Sequence, residues 1–180
     1  MSSAPTIFDV LRETHREVEE LFGDVQSAIH TEQYELAEAL FQLLSVKLIA
    51  AMRAEHAVVY PRFARDAKLG AETEQALLEH DGIERMIDWI RVGGLPQDEW
   101  CEAVAKLGTL VADHADCEEC TLFPLASLEL SSDQLHEIGL DFVQRMMQTT
   151  PVAGASITYE PTPAEPPPPV SVTFKPRHAA

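Results

Sequence analysis

Two short runs of the chain carry side chains that could hold a metal. One reads His114-Ala-Asp-Cys-Glu118-Glu119-Cys-Thr-Leu-Phe-Pro124, the other Ala51-Met-Arg-Ala-Glu55-His56-Ala-Val-Val-Tyr-Pro61. In the first, His114 and Glu118 are four residues apart. On a helix they stack on one face, so an imidazole nitrogen and a carboxylate point at the same volume. Iron in either common oxidation state favours such mixed nitrogen and oxygen donors, and one carboxylate can bridge two cations. His15 and His80 each lie mid-way along a helical stretch and can add a nitrogen from a facing element. Taken singly, a mid-helix histidine or a His-x-x-x-Glu pair is ordinarily a solvated or hydrogen-bonded surface feature. The set is more informative, because buried charges cost several kcal/mol unless they are paired or metal-bound.

The elements that must position these groups are helices. Ile7, Leu11, Val18, Leu21, Phe22 and Val25 recur at helical spacing, and Thr6 with Asp9 forms a capping pair, so a first helix is predicted over about 6–29. A second is predicted over 35–68, kinked near Pro61 and ended by Gly70. The third runs from about 72 to 92 and stops at Gly93-Gly94. The fourth opens at Pro96, with Asp98 and Glu99 at the positive end of its dipole, and meets Pro124 near its end. A shorter fifth, about 132–148, is capped by Ser131 and Gln134. The fold expected is all-α: an up-down four-helix bundle with a short fifth helix, residues 1–149, followed by a Pro-rich tail, 150–180. Eight of the twelve prolines lie in that tail, which is expected to be flexible, with Val170–Phe174 the one segment able to pair as a strand.

The chain also repeats itself. Setting Pro61 against Pro124 aligns Glu55 with Glu118 and Tyr60 with Phe123. A similar shift aligns His15 with His80, Val18 with Ile83 and Glu19 with Glu84. Two copies of one helical hairpin, related by a pseudo-twofold axis, make a four-helix bundle with a natural central site.

Composition narrows the partners. The net charge of −17 over 180 residues opposes contact with phosphate backbones and anionic membranes, so neither nucleic acid nor membrane is expected. The amino terminus, Met1–Pro5, has neither the basic nor the apolar part of a secretory signal, and the longest apolar stretches are far too short to span a bilayer. With three cysteines, an odd number, the chain reads as cytoplasmic rather than disulfide-stapled. Cys117-x-x-Cys120 beside His114 offers a rival zinc or redox reading, but structural zinc ordinarily needs four ligands and only one such pair exists; both cysteines suit core positions better. Trp89, Trp100, Met86, Met146 and Met147 read as core packing.

Residues 7–148 resemble the hemerythrin-like, or HHE cation-binding, family. The most specific likeness is His114-x-x-x-Glu118-Glu119-x-x-x-Phe123-Pro124, similar to the family's His-x-x-x-Glu-Glu-x-x-x-aromatic-Pro signature. His15 and His80 look like the histidines of the family's first and third helices. The resemblance implies a non-haem di-iron centre with Glu55 and Glu118 bridging; the departure at Ala51 leaves the expectation at one or two irons per chain. It also implies a small ligand, dioxygen, nitric oxide or peroxide, that is bound or sensed, or the sensing of iron itself, or the enzymatic breakdown of peroxide. One position departs from the pattern. Ala51 stands where the second helix should carry a histidine, and His56 replaces the second acidic residue. The candidate ligands are therefore His15, Glu55, His56, His80, His114 and Glu118, with Glu119, Glu19 and Glu84 as additional carboxylates. For His56 to compensate for Ala51, the helix must be irregular, because adjacent residues point about one hundred degrees apart. A scaffold that has lost its metal and works through the tail is the alternative.

Overall fold

The structure, a computed structural model, describes residues 5–92 and 94–149. The expectations for residues 150–180, the strand at 170–174 among them, lie outside the described residues.

Helix α1 spans Ile7–His30 and opens on the expected cap: the Thr6 hydroxyl accepts from the Asp9 backbone, and the Asp9 carboxylate accepts from the Thr6 backbone. Its apolar residues fall on one stripe, so Ile7, Leu11, Val18, Phe22 and Val25 are buried. A tight turn in which Glu32 takes a φ of 58° leads to α2, Tyr34–Ala54. The chain then widens into a π-turn over Glu55–Val59 before a last α-helical turn, α3, Tyr60–Phe63. The second helix thus ends earlier than expected. Residues 64–69 form turns, and Gly70, expected to end an element, begins α4, Gly70–Val92. Gly94 turns the chain with a φ of 52°, and Pro96 caps α5, Gln97–Cys117.

Here the repeat shows itself in the backbone. A second π-turn, Glu118–Leu122, follows α5 at the place equivalent to the first. Both precede a proline, and the reason is local. Pro61 and Pro124 lack an N–H and cannot close the regular ladder. In each copy the preceding aromatic residue reaches back five positions instead of four, Tyr60 N–H to the Glu55 carbonyl and Phe123 N–H to the Glu118 carbonyl. The helix then continues as α6, Phe123–Glu129, rather than stopping near Pro124. Finally α7, Ser132–Thr149, starts on the expected Ser131–Gln134 reciprocal cap.

In the bundle α1 packs on α2 and α5, and α4 on α5 and α2, while α7 lies across α1, α2 and the first π-turn. That docking is close: a Cβ on Gly139 would stand 3.0 Å from the Ile7 backbone nitrogen. The core is split in two. One apolar layer gathers Phe22, Val25, Phe41, Leu44, Ile87 and Leu107. The other, towards α7, gathers Ile7, Leu11, Phe63, Phe123, Ile138 and Phe142. Between them lies a polar layer at the level of the π-turns.

Candidate metal centre

Seven polar or charged residues are buried among those described, and four of them, Glu55, His80, His114 and Glu118, belong to this one layer. Glu55, His80 and His114 each bring a ligand atom within 4.8 Å of the others'. His80 Nε2 lies 2.8 Å from His114 Nε2 and 3.3 Å from Glu55 Oε2. Glu118 joins from α5's end, with Oε2 3.9 Å from His114 Nε2 and 3.3 Å from Nε2 of His15. Tyr60 stands at the centre. Its hydroxyl lies 2.8 Å from Glu118 Oε1, 3.0 Å from Glu55 Oε2 and 3.3 Å from His80 Nε2.

The outer nitrogens explain how the rings are held. His114 Nδ1 is 2.8 Å from Glu79 Oε2, His15 Nδ1 is 2.8 Å from Glu119 Oε1, and His80 Nδ1 is 2.9 Å from His56 Nε2. An imidazole whose outer nitrogen carries the proton presents a lone pair on its inner one, which is the arrangement that second partners enforce in metal sites. Glu79 and Glu119 are obligate acceptors when ionised and fix that tautomer at His114 and His15. His56 can take either part towards His80.

In the absence of a metal, the same carboxylates favour the protonated form of two of these rings, a positive charge that a bound cation would replace. At His15 burial works against the charged ring, but the carboxylates of Glu118, Glu119 and Glu55 outweigh it and raise the pKa to about 9. His114 is raised in the same way, against burial, chiefly by Glu79 and then by Glu118. His56 goes the other way. Burial and the neighbouring His80 lower its pKa, which keeps it neutral and able to accept. Burial opposes ionisation of Glu55, yet the facing histidines, His80 foremost, hold its carboxyl below the usual range. Burial and the two carboxylates push Tyr60 well above the ordinary phenol value, so it stays a hydrogen-bond donor.

The group does not satisfy itself. Tyr60 has one proton and faces two carboxylates, so it can donate to only one of them at a time. Glu118 Oε2 is buried and has no hydrogen-bond partner. Its nearest cationic group is the His15 ring, with Nε2 at 3.3 Å, and a buried carboxylate oxygen left without a hydrogen bond is costly. Placed beside inward-facing imidazole nitrogens, it fits a cation. The donor set is nitrogens and carboxylate oxygens without thiolate, which suits a divalent transition metal.

The sequence-derived candidates therefore fall into three groups. Glu55, His80 and His114 converge, with Glu118 and His15 adjoining. His56 sits behind His80 and contacts its outer nitrogen rather than the cluster. The required helical irregularity is present as the π-turn, but it points Glu55 inward and leaves His56 at the back. Of the extra carboxylates, Glu119 backs His15, Glu84 lies 4.0 Å from Arg53 at the surface, and Glu19 is exposed. Two contributors were missed, Tyr60 and Glu79. The pairing of Tyr60 with Phe123 in the repeat marked the position as aromatic, and the hydroxyl was the unread signal. Cys117 is half-buried and Cys120 exposed, so neither is the core residue expected, and neither enters the cluster. Met147 is likewise exposed.

The hemerythrin HHE cation binding domain matches residues 6–126, two thirds of the chain and all of this layer. The chain belongs to the hemerythrin HHE family. A curated relative, described as a DNA nickase from Nostoc sp. (strain PCC 7120), is 29% identical over 136 residues. The match takes in 76% of this chain but 38% of the relative, so the chain spans well under half of that protein's length. No solved structure matches. As an HHE domain, the chain has a buried His/Glu cluster suited to a metal, and no described helix is long and apolar enough to cross a membrane.

Proposed function

We propose that the chain is a non-haem iron protein whose centre takes dioxygen, nitric oxide or peroxide as a ligand. The observation that carries this reading is the cluster of three histidines with backed outer nitrogens around two buried carboxylates, one oxygen of which accepts no hydrogen bond. Glu55, His80 and His114 would hold one iron, with Glu118 beside it. His15 and Glu118 offer two donors for a second, too few to hold it firmly. Iron there would supply redox chemistry with small oxidants. The chain's own residues do the rest. Glu79 and His56 orient two of the ligating rings, and Glu119 orients His15. The Tyr60 hydroxyl can hold a proton between the carboxylates, and the apolar layer towards α7 closes the site on that side.

The nickase name of the relative belongs to a protein of which this chain matches only part. A net charge of −17 weighs against its transfer, because it repels a phosphate backbone.

The test is anaerobic reconstitution with ferrous iron, followed by absorption spectra on adding nitric oxide, dioxygen and hydrogen peroxide in turn. A spectral change with at least one of them, at stoichiometric iron, is the expected outcome. Evolution of oxygen from peroxide would add turnover to binding. Failure to take up iron after reconstitution would overturn the reading.

A further inference from the structure

The vacancy at Ala51 is not a defect in an otherwise complete site. In the second copy His114 is backed by Glu79. The residues equivalent to that pair in the first copy are Ala51 and Thr14. Histidine and backing carboxylate are thus replaced together. Thr14 returns its hydroxyl to the Val10 carbonyl of its own helix at 2.9 Å, so the double replacement leaves no buried group unpaired. What it leaves is space. Ala51 and Thr14 both line a cavity of about 690 Å³ whose floor is Glu55, His80 and His114. Its walls are apolar and buried: Val18, Phe22, Leu48, Met52, Ile83 and Val111. The cavity opens between α1 and α5, where Gly23 and Gly108 face the gap and a Cβ on Gly23 would meet nothing within 4 Å.

Dioxygen, nitric oxide and peroxide need a small fraction of that volume. Cavities of about 300–1,000 Å³ with mainly apolar walls and a few convergent polar groups are the size and character of sites for organic molecules. We propose that this cavity is a binding site for an uncharged, largely apolar organic molecule carrying one hydroxyl or carbonyl oxygen, lying with its body along the apolar walls and its oxygen towards the floor. Anions are selected against twice and cations once. Glu19, Asp116 and Glu119 line the cavity and repel anions, and an ion of either sign loses its hydration along the apolar walls. A hydroxyl at the inner end finds the Glu55 carboxylate as acceptor. The proposal stands on the cavity and holds for the protein with or without its metal. Iron content measured on the same samples separates its failure from that of the iron reading.

The experiment is a fluorescence titration of the full chain, metal-free and iron-loaded, with the neutral probe N-phenyl-1-naphthylamine, then displacement by 1-octanol and, in parallel, by octanoate. The expected result is saturable enhancement, displaced by octanol at concentrations at least tenfold below those octanoate needs. Ala51→Phe, which fills the inner end, and Gly23→Leu, which narrows the mouth in a place with room for a side chain, should each weaken the probe at least tenfold. Gly23→Leu keeps the test decisive if Ala51→Phe fails to fold by circular dichroism. No enhancement up to the probe's solubility would overturn the proposal. So would equal displacement by octanoate, or binding that survives Gly23→Leu but is lost in Val143→Ser, which lies in the separate groove between α1 and α7.

Discussion

The two hairpins share a backbone and divide the chemistry. Each ends in a π-turn that starts on a buried glutamate, Glu55 in one and Glu118 in the other. Each π-turn also sends its second residue across the bundle to back the other hairpin's histidine: His56 reaches His80, and Glu119 reaches His15. The aromatic residue before each proline packs beside that same histidine, Tyr60 beside His80 and Phe123 beside His15. Against this shared frame the differences stand out. The α5 copy keeps a histidine and its carboxylate, His114 with Glu79, and supplies the inward nitrogen. The α2 copy replaces both, with Ala51 and Thr14, and opens a cavity. It also gains a hydroxyl at Tyr60, which bridges the two glutamates. Proline and π-turn fix where the glutamates point, and the residues one turn before decide whether each copy binds or makes room.

Substitutions that make the two copies alike, or restore what one lacks, have graded effects. The largest effect is expected from His114→Ala, which makes the α5 copy resemble the other. Iron affinity should fall by more than about 100-fold, since loss of an outer partner alone typically costs 10–100-fold, and equilibrium dialysis would read it. Next, Ala51→His combined with Thr14→Glu rebuilds the missing pair. It should raise iron from one to two per chain by elemental analysis and remove the cavity's inner end. A rise with Ala51→His alone would show that the backing carboxylate is dispensable. Third, Glu79→Ala and His56→Ala, which free the outer nitrogens of His114 and His80, should each weaken iron binding by about 10–100-fold. Thr14→Ala, at the position equivalent to Glu79, should leave it unchanged in the same dialysis assay. The smallest effect belongs to Tyr60→Phe, which makes the two aromatic positions alike. It removes the donor that Glu118 Oε1 uses and should destabilise the metal-free protein by about 1–3 kcal/mol in urea unfolding, with a smaller loss once metal is bound.

Much of this was legible in the sequence, because it rests on local rules. Helical periodicity placed the long helices, Thr6–Asp9 and Ser131–Gln134 marked two starts, and the proline-anchored repeat paired Glu55 with Glu118 and His15 with His80. What escaped depends on three dimensions. Pro61 signalled a kink, yet whether a proline breaks, bends or widens a helix depends on what packs around it, and here the packing keeps the helix going through a π-turn. Glu79 adjoins His80 on the same helix and so points about one hundred degrees away from it. Helix-face reasoning sets it aside, although from that angle it reaches His114 on α5. His56 was read as a ligand for the same kind of reason. One step from Glu55 looked correctable by an irregular helix, but the irregularity carries Glu55 inward and His56 behind His80. Gly70 illustrates the ambiguity of glycine, which fits the start of a helix as readily as the end when its φ is ordinary.

The proposed iron site is built chiefly on the intact copy, with Glu55, His80 and His114 as its ligands. The direct test is an anaerobic titration of the metal-free full chain with ferrous iron, followed by calorimetry, beside His114→Ala and His15→Ala. The expected result is one tight equivalent per chain, abolished by His114→Ala and largely retained in His15→Ala. Two equally tight equivalents, or a single one lost with His15 and indifferent to His114, would contradict it.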